Sequence, residues 1–322
     1  MPLSLEEYTE EYREAVLLCL RKNFKWLNNL NDEKLNKWFD KIVKYEWIEK
    51  DDIKQLPYYH GAVVLDENRK VVGFLGIIYA KRNIEQKNLI ELNTTTWVID
   101  EEKRDIFFLM NVCSGLYKKG LYITDFSAIP AMQKLNERFK INCIDKQSYF
   151  CLRRLLKKNN KLKYEICTHE FVFDDTVVEK EYRDHEKYGI KCIKVFSNDI
   201  ESQYIFYHLV HRMVLGMKFK WIQILKISDE IFFYEHFENI VNLITEIEKV
   251  IVLQCDSHFL KCEPRYGGWI RKKEISIMAK SENISDLSKV DYLYTELCMV
   301  DMYAGSDITL KKIINKIVNR IS

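Results

Sequence analysis

The stretch that decides the fold is L-I-E-L-N-T-T-T-W-V-I-D-E-E-K-R-D-I-F-F, Leu89 to Phe108. Its first half, Leu89 to Ile99, is dense in β-branched and aromatic residues. These suit a pleated surface and predict a strand. Asp100 is placed to cap a following helix, and Glu101 and Glu102 suit the positive end of that helix. A strand that feeds a helix N-terminus is a ready anion site.

Working outward, Gly61 to Leu65 and Val71 to Tyr79 are apolar runs around D-E-N-R-K, a hairpin signal. Ahead of them, Tyr8, Tyr12, Ala15, Val16, Cys19 and Leu20 recur at helical spacing. Asn31 or Asp32 opens a second helix with the face Leu35, Trp38, Phe39, Ile42, Val43 and Trp47. Downstream, a helix is expected from about Glu101 to Tyr117, a strand over Leu121 to Phe126, a helix from Ala131 to Phe139 and a strand over Ser148 to Leu152. A helix between two strands implies a parallel crossover. The fold class is therefore α/β, with an α+β mixed sheet.

The run Lys157 to Lys163 is polar and basic and serves as the candidate linker, dividing the chain into residues 1–155 and 164–322. The second half is expected to hold a helix after Asp174, strands over Lys191 to Phe196 and Lys218 to Ile227, and a helix over Ser202 to Leu215. A helix over Phe237 to Glu248 and a strand over Val250 to Cys255 follow. Glu274 to Met278 and Tyr292 to Val300 look extended, and Ile308 to Ile321 reads as a terminal amphipathic helix. This order repeats the logic of the first half without an evident sequence repeat.

Composition narrows the function classes. The 322 residues are 47% hydrophobic and 30% charged, with a net charge of +2. That is a globular profile without the basic face that nucleic acid requires. No apolar run reaches the ~20 residues needed to cross a bilayer, so no membrane partner is expected. The nine cysteines are irregularly spaced and mostly lie in apolar runs, as reduced thiols of a cytoplasmic protein would.

Three segments carry a family resemblance. His60 to Tyr79 (H-G-A-V-V-L-D-E-N-R-K-V-V-G-F-L-G-I-I-Y), Thr96 to Arg104 (T-W-V-I-D-E-E-K-R) and Ile123 to Phe139 (I-T-D-F-S-A-I-P-A-M-Q-K-L-N-E-R-F) resemble the GNAT acyltransferases. Glu181 to His185 (E-Y-R-D-H) and Asp291 to Leu297 (D-Y-L-Y-T-E-L) are similar to segments of bacterial proteins with two GNAT-like domains in tandem. The resemblance implies acyl transfer from acetyl-CoA or another acyl-CoA to an amine. It implies a small-molecule acceptor, such as an amino sugar or a glycan precursor. Trp97, Val98, Ile99, Arg104 and Asp105 would then meet the cofactor.

The sequence also departs from that pattern. The family places glycines after the arginine, so that backbone N–H groups can approach phosphates. Here the residues after Arg104 are Asp105, Ile106, Phe107, Phe108 and Leu109. The later Gly-Phe becomes Lys140-Ile141, and Asn136 stands where a general-acid tyrosine is common. The rival reading is thus a GNAT-like scaffold that binds a partner or metabolite without transfer. An aminoacyl-tRNA-dependent transferase ranks third, since the chain lacks a basic face.

Candidate catalytic residues are Glu91, Asp125 and Ser127. Glu91 is a base candidate on the third strand, or else an exposed strand carboxylate. Asp125 and Ser127 follow the next parallel strand, where ligands bind in open α/β sheets, or else they form the N-cap ahead of Pro130. Cys255, His258 and Cys262 fall short of four zinc ligands, and His208 and His211 lack a nearby carboxylate. Arg265 to Trp269 holds the chain's glycine pair and reads as a turn.

Overall fold

A computed structural model describes residues 3–153, 162–197, 201–214, 217–260, 268–284 and 287–299. The first half runs β1 (Ser4–Glu7), α1 (Arg13–Asn23), α2 (Asp32–Val43), β2 (Ala62–Leu65), β3 (Val71–Ile84) and β4 (Lys87–Ile99). It continues with α3 (Ile106–Leu116), β5 (Tyr122–Ala128), α4 (Pro130–Arg138) and β6 (Asn142–Leu152). The second half holds β7 (Lys163–Cys167), α5 (Thr176–His185), β8 (Lys191–Ser197), β9 (Glu201–Val214) and β10 (Met217–Ile227). It ends with α6 (Glu230–Glu235), α7 (Phe237–Ile247), β11 (Val252–Asp256), β12 (Gly268–Lys280) and α8 (Glu296–Met299).

Helix starts follow capping chemistry. Asn31 accepts from the Lys34 N–H, Asp175 from those of Val177 and Val178, and Asp229 from that of Phe232. Pro130 opens α4, where its missing N–H costs nothing. Asp100 does not cap the helix after β4. A short 3-10 turn over Glu101–Lys103 intervenes, and Asp105 caps α3 instead. The Asp100 carboxylate turns to α1, where it takes Lys22 at 2.7 Å and Asn23 at 2.8 Å.

The strands form one twelve-stranded sheet in the order β1-β2-β3-β4-β5-β12-β6-β11-β10-β9-β8-β7. Two neighbouring pairs are parallel, β4 with β5 across α3 and β10 with β11 across α6 and α7. At the centre the halves exchange strands. β12 pairs with β5, and β6 pairs with β11, while β12 and β6 pair with each other. Each half therefore completes the other's sheet.

The core follows both faces of this sheet. Tyr8, Phe39 and Phe74 form a mutual edge-to-face cluster with centroids 5.4 to 5.8 Å apart. Each such pair contributes about 0.5–1.5 kcal/mol beyond its burial.

Two predicted elements are corrected. The helix expected over 202–215 is instead the long strand β9, Glu201–Val214, with Leu215 outside the described residues. Gln203 to Tyr207 are buried on both faces, so the run lacks the alternation that marks a half-exposed strand. Residues 292–295 form a turn leading into α8, rather than extended chain. The expected terminal helix, and most of the linker run, lie outside the described residues. No described helix is long and apolar enough to cross a membrane.

Candidate functional site

The site grows from a fault in β4. Opposite it, Gly76 pairs with Thr95 and Phe74 with Val98, so β4 sets two residues, Thr96 and Trp97, against one, Leu75. Thr96 sits at φ 53°, a left-handed conformation that a β-branched residue rarely adopts. Such a residue costs about 1–3 kcal/mol, and the cost is borne where surrounding structure holds it. The Trp97 indole helps to hold it, donating to the Gly76 carbonyl at 3.1 Å. Gly76 has no room for a Cβ, which would lie 2.6 Å from the Thr95 carbonyl oxygen. The bulge thus depends on a glycine across the ladder.

Below the bulge β4 and β5 are paired, Glu91 with Tyr122, Leu92 with Ile123 and Asn93 with Thr124. Beyond Asn93 their pairing ends, and a cavity of about 220 Å³ lies between them. Thr94 to Trp97 form one wall, and Asp125, Ser127 and Ile129 the other. Trp26 and Trp38 close it from the N-terminal helices, packed edge to face at 5.5 Å.

Of the residues predicted from sequence, Trp97, Asp125 and Ser127 meet in this cavity. Asp125 is buried, accepting from the Asn136 amide at 2.8 Å and from the Ser127 N–H at 3.2 Å. Neither Asp125 nor Ser127 caps α4, whose N-cap position is Ile129. Burial pushes the Asp125 carboxyl up to about 6, against the lowering pull of Asn136. The Asn136 oxygen in turn accepts from the Tyr117 hydroxyl at 3.2 Å. A phenol from α3's end thus stands behind the position where the sequence lacks a tyrosine.

Glu91 is fully buried and is not an exposed strand carboxylate. It lies at the paired end of the strands, outside the cavity wall. One oxygen takes Arg82 at 2.6 Å and the other takes the Thr124 hydroxyl at 2.7 Å. Burial raises its pKa to about 7, and Arg82 opposes that rise. Val98 and Ile99 are buried in the ladder beside β3. Arg104 donates to the Ile99 carbonyl at 3.1 Å, and Asp105 caps α3. These four lie beyond the cavity, toward the helix.

A residue given no role by sequence reasoning lies buried beside Asp125 and Ser127. Glu296, at the start of α8, is fully buried, and α8 packs on the helix that carries Trp38. Neither carboxyl oxygen has a well-formed hydrogen bond among the described residues. The Ser127 hydroxyl and the Asp125 carboxylate are its polar neighbours. Burial, then the Asp125 charge, raises Glu296 to about 8. The signal was present in D-Y-L-Y-T-E-L, where two acids, Asp291 and Glu296, stand among aromatic and aliphatic residues.

The remaining candidates lie apart from this cavity or outside the described residues. His258 is held by Asp145 at 2.9 Å and by the Val290 carbonyl at 3.0 Å. His208 and His211 lie on β9, and no metal-binding group of three ligands occurs among the described residues. Cys262 and residues 265–267 lie outside the described residues, and Gly268 begins β12.

No protein-family model and no curated protein matches the sequence. Solved structures do match. A GCN5-related N-acetyltransferase from Anabaena variabilis aligns over 87% of this chain and 72% of its own, with 10% identity and a TM-score of 0.53. A candidate acetyltransferase from Pyrococcus horikoshii aligns over 94% of this chain and 96% of its own, at 9% identity and a TM-score of 0.53. A GCN5-related N-acetyltransferase from Kribbella flavida covers 86% of this chain and 70% of its own, at 11% identity and a TM-score of 0.50. At such identities the likeness concerns the fold. The chain has a GNAT-like fold across most of its length.

Proposed function

We propose that the protein is an N-acyltransferase that moves an acyl group from a thioester of the acyl-CoA type to an amine. The observation that carries this reading is the cavity opened between β4 and β5 beside the Thr96 bulge, with Asp125 and Ser127 on one wall and the buried Glu296 as their neighbour outside the lining. Its apolar, aromatic lining suits the pantetheine arm and acyl chain of such a donor. The N-terminus of α3 does not suit the donor's pyrophosphate, because the Asp105 carboxylate already accepts the Phe107 and Phe108 N–H groups.

The donor supplies a thioester carbonyl. Transfer forms a C–N bond, breaks the C–S bond, removes one proton from the amine and gives one to the departing sulfur. Two carboxyl groups with separated pKa values divide such labour. Asp125, raised only to about 6, is ionised at neutral pH and accepts the amine's proton. Glu296, raised to about 8, is largely protonated there and returns a proton through Ser127. The acceptor is a small amine, and its assignment as an amino sugar or glycan precursor rests on the sequence resemblance.

A second reading has its own observation. Asp105 seated at the α3 N-terminus favours a scaffold that binds a metabolite or partner without transfer.

Thermal shift with acetyl-, octanoyl- and palmitoyl-CoA separates the two from a protein with no thioester site. A ligand that binds the folded state raises Tm. No rise with any thioester sinks the proposal. Where binding is seen, thiol release with glucosamine and simple alkyl amines reports transfer. Asp125→Asn should lower kcat by roughly 10²–10⁴, as expected for loss of a general base, with little change in donor binding.

A further inference from the structure

The Asp105 cap poses the question of where the phosphates of a donor would rest. Its carboxylate holds the Phe107 N–H at 2.8 Å and the Phe108 N–H at 3.4 Å. Beside it, Ile106 and Phe107 are 49% and 74% exposed, which surrounds the helix start with apolar side chains. A phosphate there would face a carboxylate at close range and find the first N–H groups taken.

The neighbouring helix offers the opposite. Lys134 and Arg138 lie one turn apart on α4 and border a groove of about 400 Å³. Ile106, Pro130, Ala131 and Leu135 form its apolar walls. The groove adjoins the thioester cavity, because Ile129 and Met132 line the cavity while Pro130 and Ala131 line the groove. Arg138 reaches from α4 across to α3, where one guanidinium nitrogen meets the Met110 sulfur at 3.7 Å. Both cations are exposed, and no ion pair among the described residues engages either. Past Arg138 a second hollow of about 480 Å³ holds Lys140 and Lys280, with Glu282 as its one acid.

We infer that the phosphates of a pantetheine-type thioester donor are held by Lys134 and Arg138 on α4, and not by the N-terminus of α3. The inference rests on the thioester-transferase reading. A guanidinium presents a planar fork that matches phosphate, and a lysine one turn away adds a second charge. The first turn of α4 and the residue before it contribute to both cavity and groove, so an arm that follows this turn out of the cavity brings its phosphate toward these side chains. A nucleotide-borne pyrophosphate and the phosphodiester of a protein-borne pantetheine share this chemistry.

Calorimetric titration of octanoyl-pantetheine, octanoyl-4′-phosphopantetheine and octanoyl-CoA tests it. In the wild type the two phosphorylated ligands should bind at least tenfold tighter than octanoyl-pantetheine, and added salt should narrow the gap. The double variant K134A/R138A should erase the gap and leave octanoyl-pantetheine affinity unchanged. Asp105→Ala should keep it. A gap that survives K134A/R138A, or no gap in the wild type, overturns the inference while the transferase reading stands. Failure of octanoyl-pantetheine itself to bind removes that reading, and the inference with it. Tighter binding of CoA than of phosphopantetheine supports the site with a nucleotide-borne donor. Equal binding supports it with a protein-borne one.

Discussion

Arg82 on β3 and Asp291 before α8 are 209 residues apart in the chain and 2.7 Å apart in the interior. The same guanidinium takes Glu91 at 2.6 Å and the Leu293 carbonyl at 3.1 Å. Asp291 also receives Lys226 at 3.3 Å, and Lys226 reaches Glu181 at 2.5 Å. Residues from β3, β4, α5, β10 and the D-Y-L-Y-T-E-L segment thus share one buried charge network. It fixes the segment that carries Glu296 against the floor of β4 and β5.

Removing one partner of this network leaves the others buried and unpaired. Asp291→Asn should cost about 3–5 kcal/mol of folding free energy, the range for breaking a buried ion pair. Burial opposes ionisation of Asp291, but Arg82 and Lys226 outweigh it and hold its pKa below the ordinary value of 3.8. A depressed carboxylate stabilises the folded state above its unfolded pKa and loses that contribution as pH falls through the folded one. Urea melts at pH 7 and pH 3 should show the variant's deficit shrinking in acid. An equal deficit at both pH values would remove the ion pair as its cause.

That pairing shows where sequence reading stops. The strand, turn and helix of Leu89 to Phe108 were legible because their signals are local, namely β-branched density, acidic residues and a following apolar helix. So was the position of Asp125 and Ser127, just past the last pair of a parallel ladder. That Glu91 is buried was not legible, because its neutralising partner comes from another strand and its cover from the far half of the chain. Glu181 and Asp291 stood in segments noticed only for their resemblance, and nothing local says that they share Lys226. The strand β9 was lost to a helical reading because Gln203 to Tyr207 are buried on both faces, which removes the alternation that would contradict the helical spacing of Ile205, Leu209 and Val210. The exchange of β6 and β12 is a property of the whole sheet, with no counterpart in any window of sequence.

The bulge makes a prediction of its own. Gly76→Ala places a methyl group 2.6 Å from the Thr95 carbonyl oxygen, closer than any relaxed contact. The backbone of β4 must shift, at about 1–3 kcal/mol for an overpacked site. The shift falls on the cavity wall at Thr95 to Trp97. Stability from denaturant melts should drop in that range, and octanoyl-pantetheine affinity should fall by tenfold or more. A stable variant with unchanged affinity would show that the bulge does not shape the site.

Glu296 ties stability to pH in the alkaline direction. Its folded pKa, about 8, lies above the reference value of 4.5. Between those values the folded state binds more protons than the unfolded chain, so stability falls as pH rises from about 5 to 8. The slope for one such group approaches about 1.4 kcal/mol per pH unit. Glu296→Gln keeps the shape and removes the titration. Its melts should be flatter than those of the wild type over this interval, and the variant should be the more stable protein above pH 8. Parallel pH curves would place the carboxyl in contact with solvent or with a cation.

His185 gives the opposite dependence. Its Nε2 accepts the Tyr294 backbone N–H at 2.9 Å, so that nitrogen carries no proton. Nδ1 therefore holds the proton and donates to the Glu181 carbonyl at 2.7 Å. The ring stacks on Trp47 of the first half at 5.2 Å and is fully buried. Burial drives its pKa down to about 4 from an ordinary 6.5. The folded state holds the neutral ring while the unfolded chain protonates, so stability is lost as pH falls from 6.5 to 4. Over that window the loss amounts to roughly 3 kcal/mol at about 1.4 kcal/mol per unit. Protonation at Nε2 also sets a donor against the Tyr294 N–H and loosens the turn that leads to Glu296. His185→Gln should remove most of this acid slope while lowering stability at pH 7, because it trades a stacked ring for an amide. Thermal melts across pH 4 to 7 read both effects, and an undiminished acid slope in the variant would show that His185 is not its source.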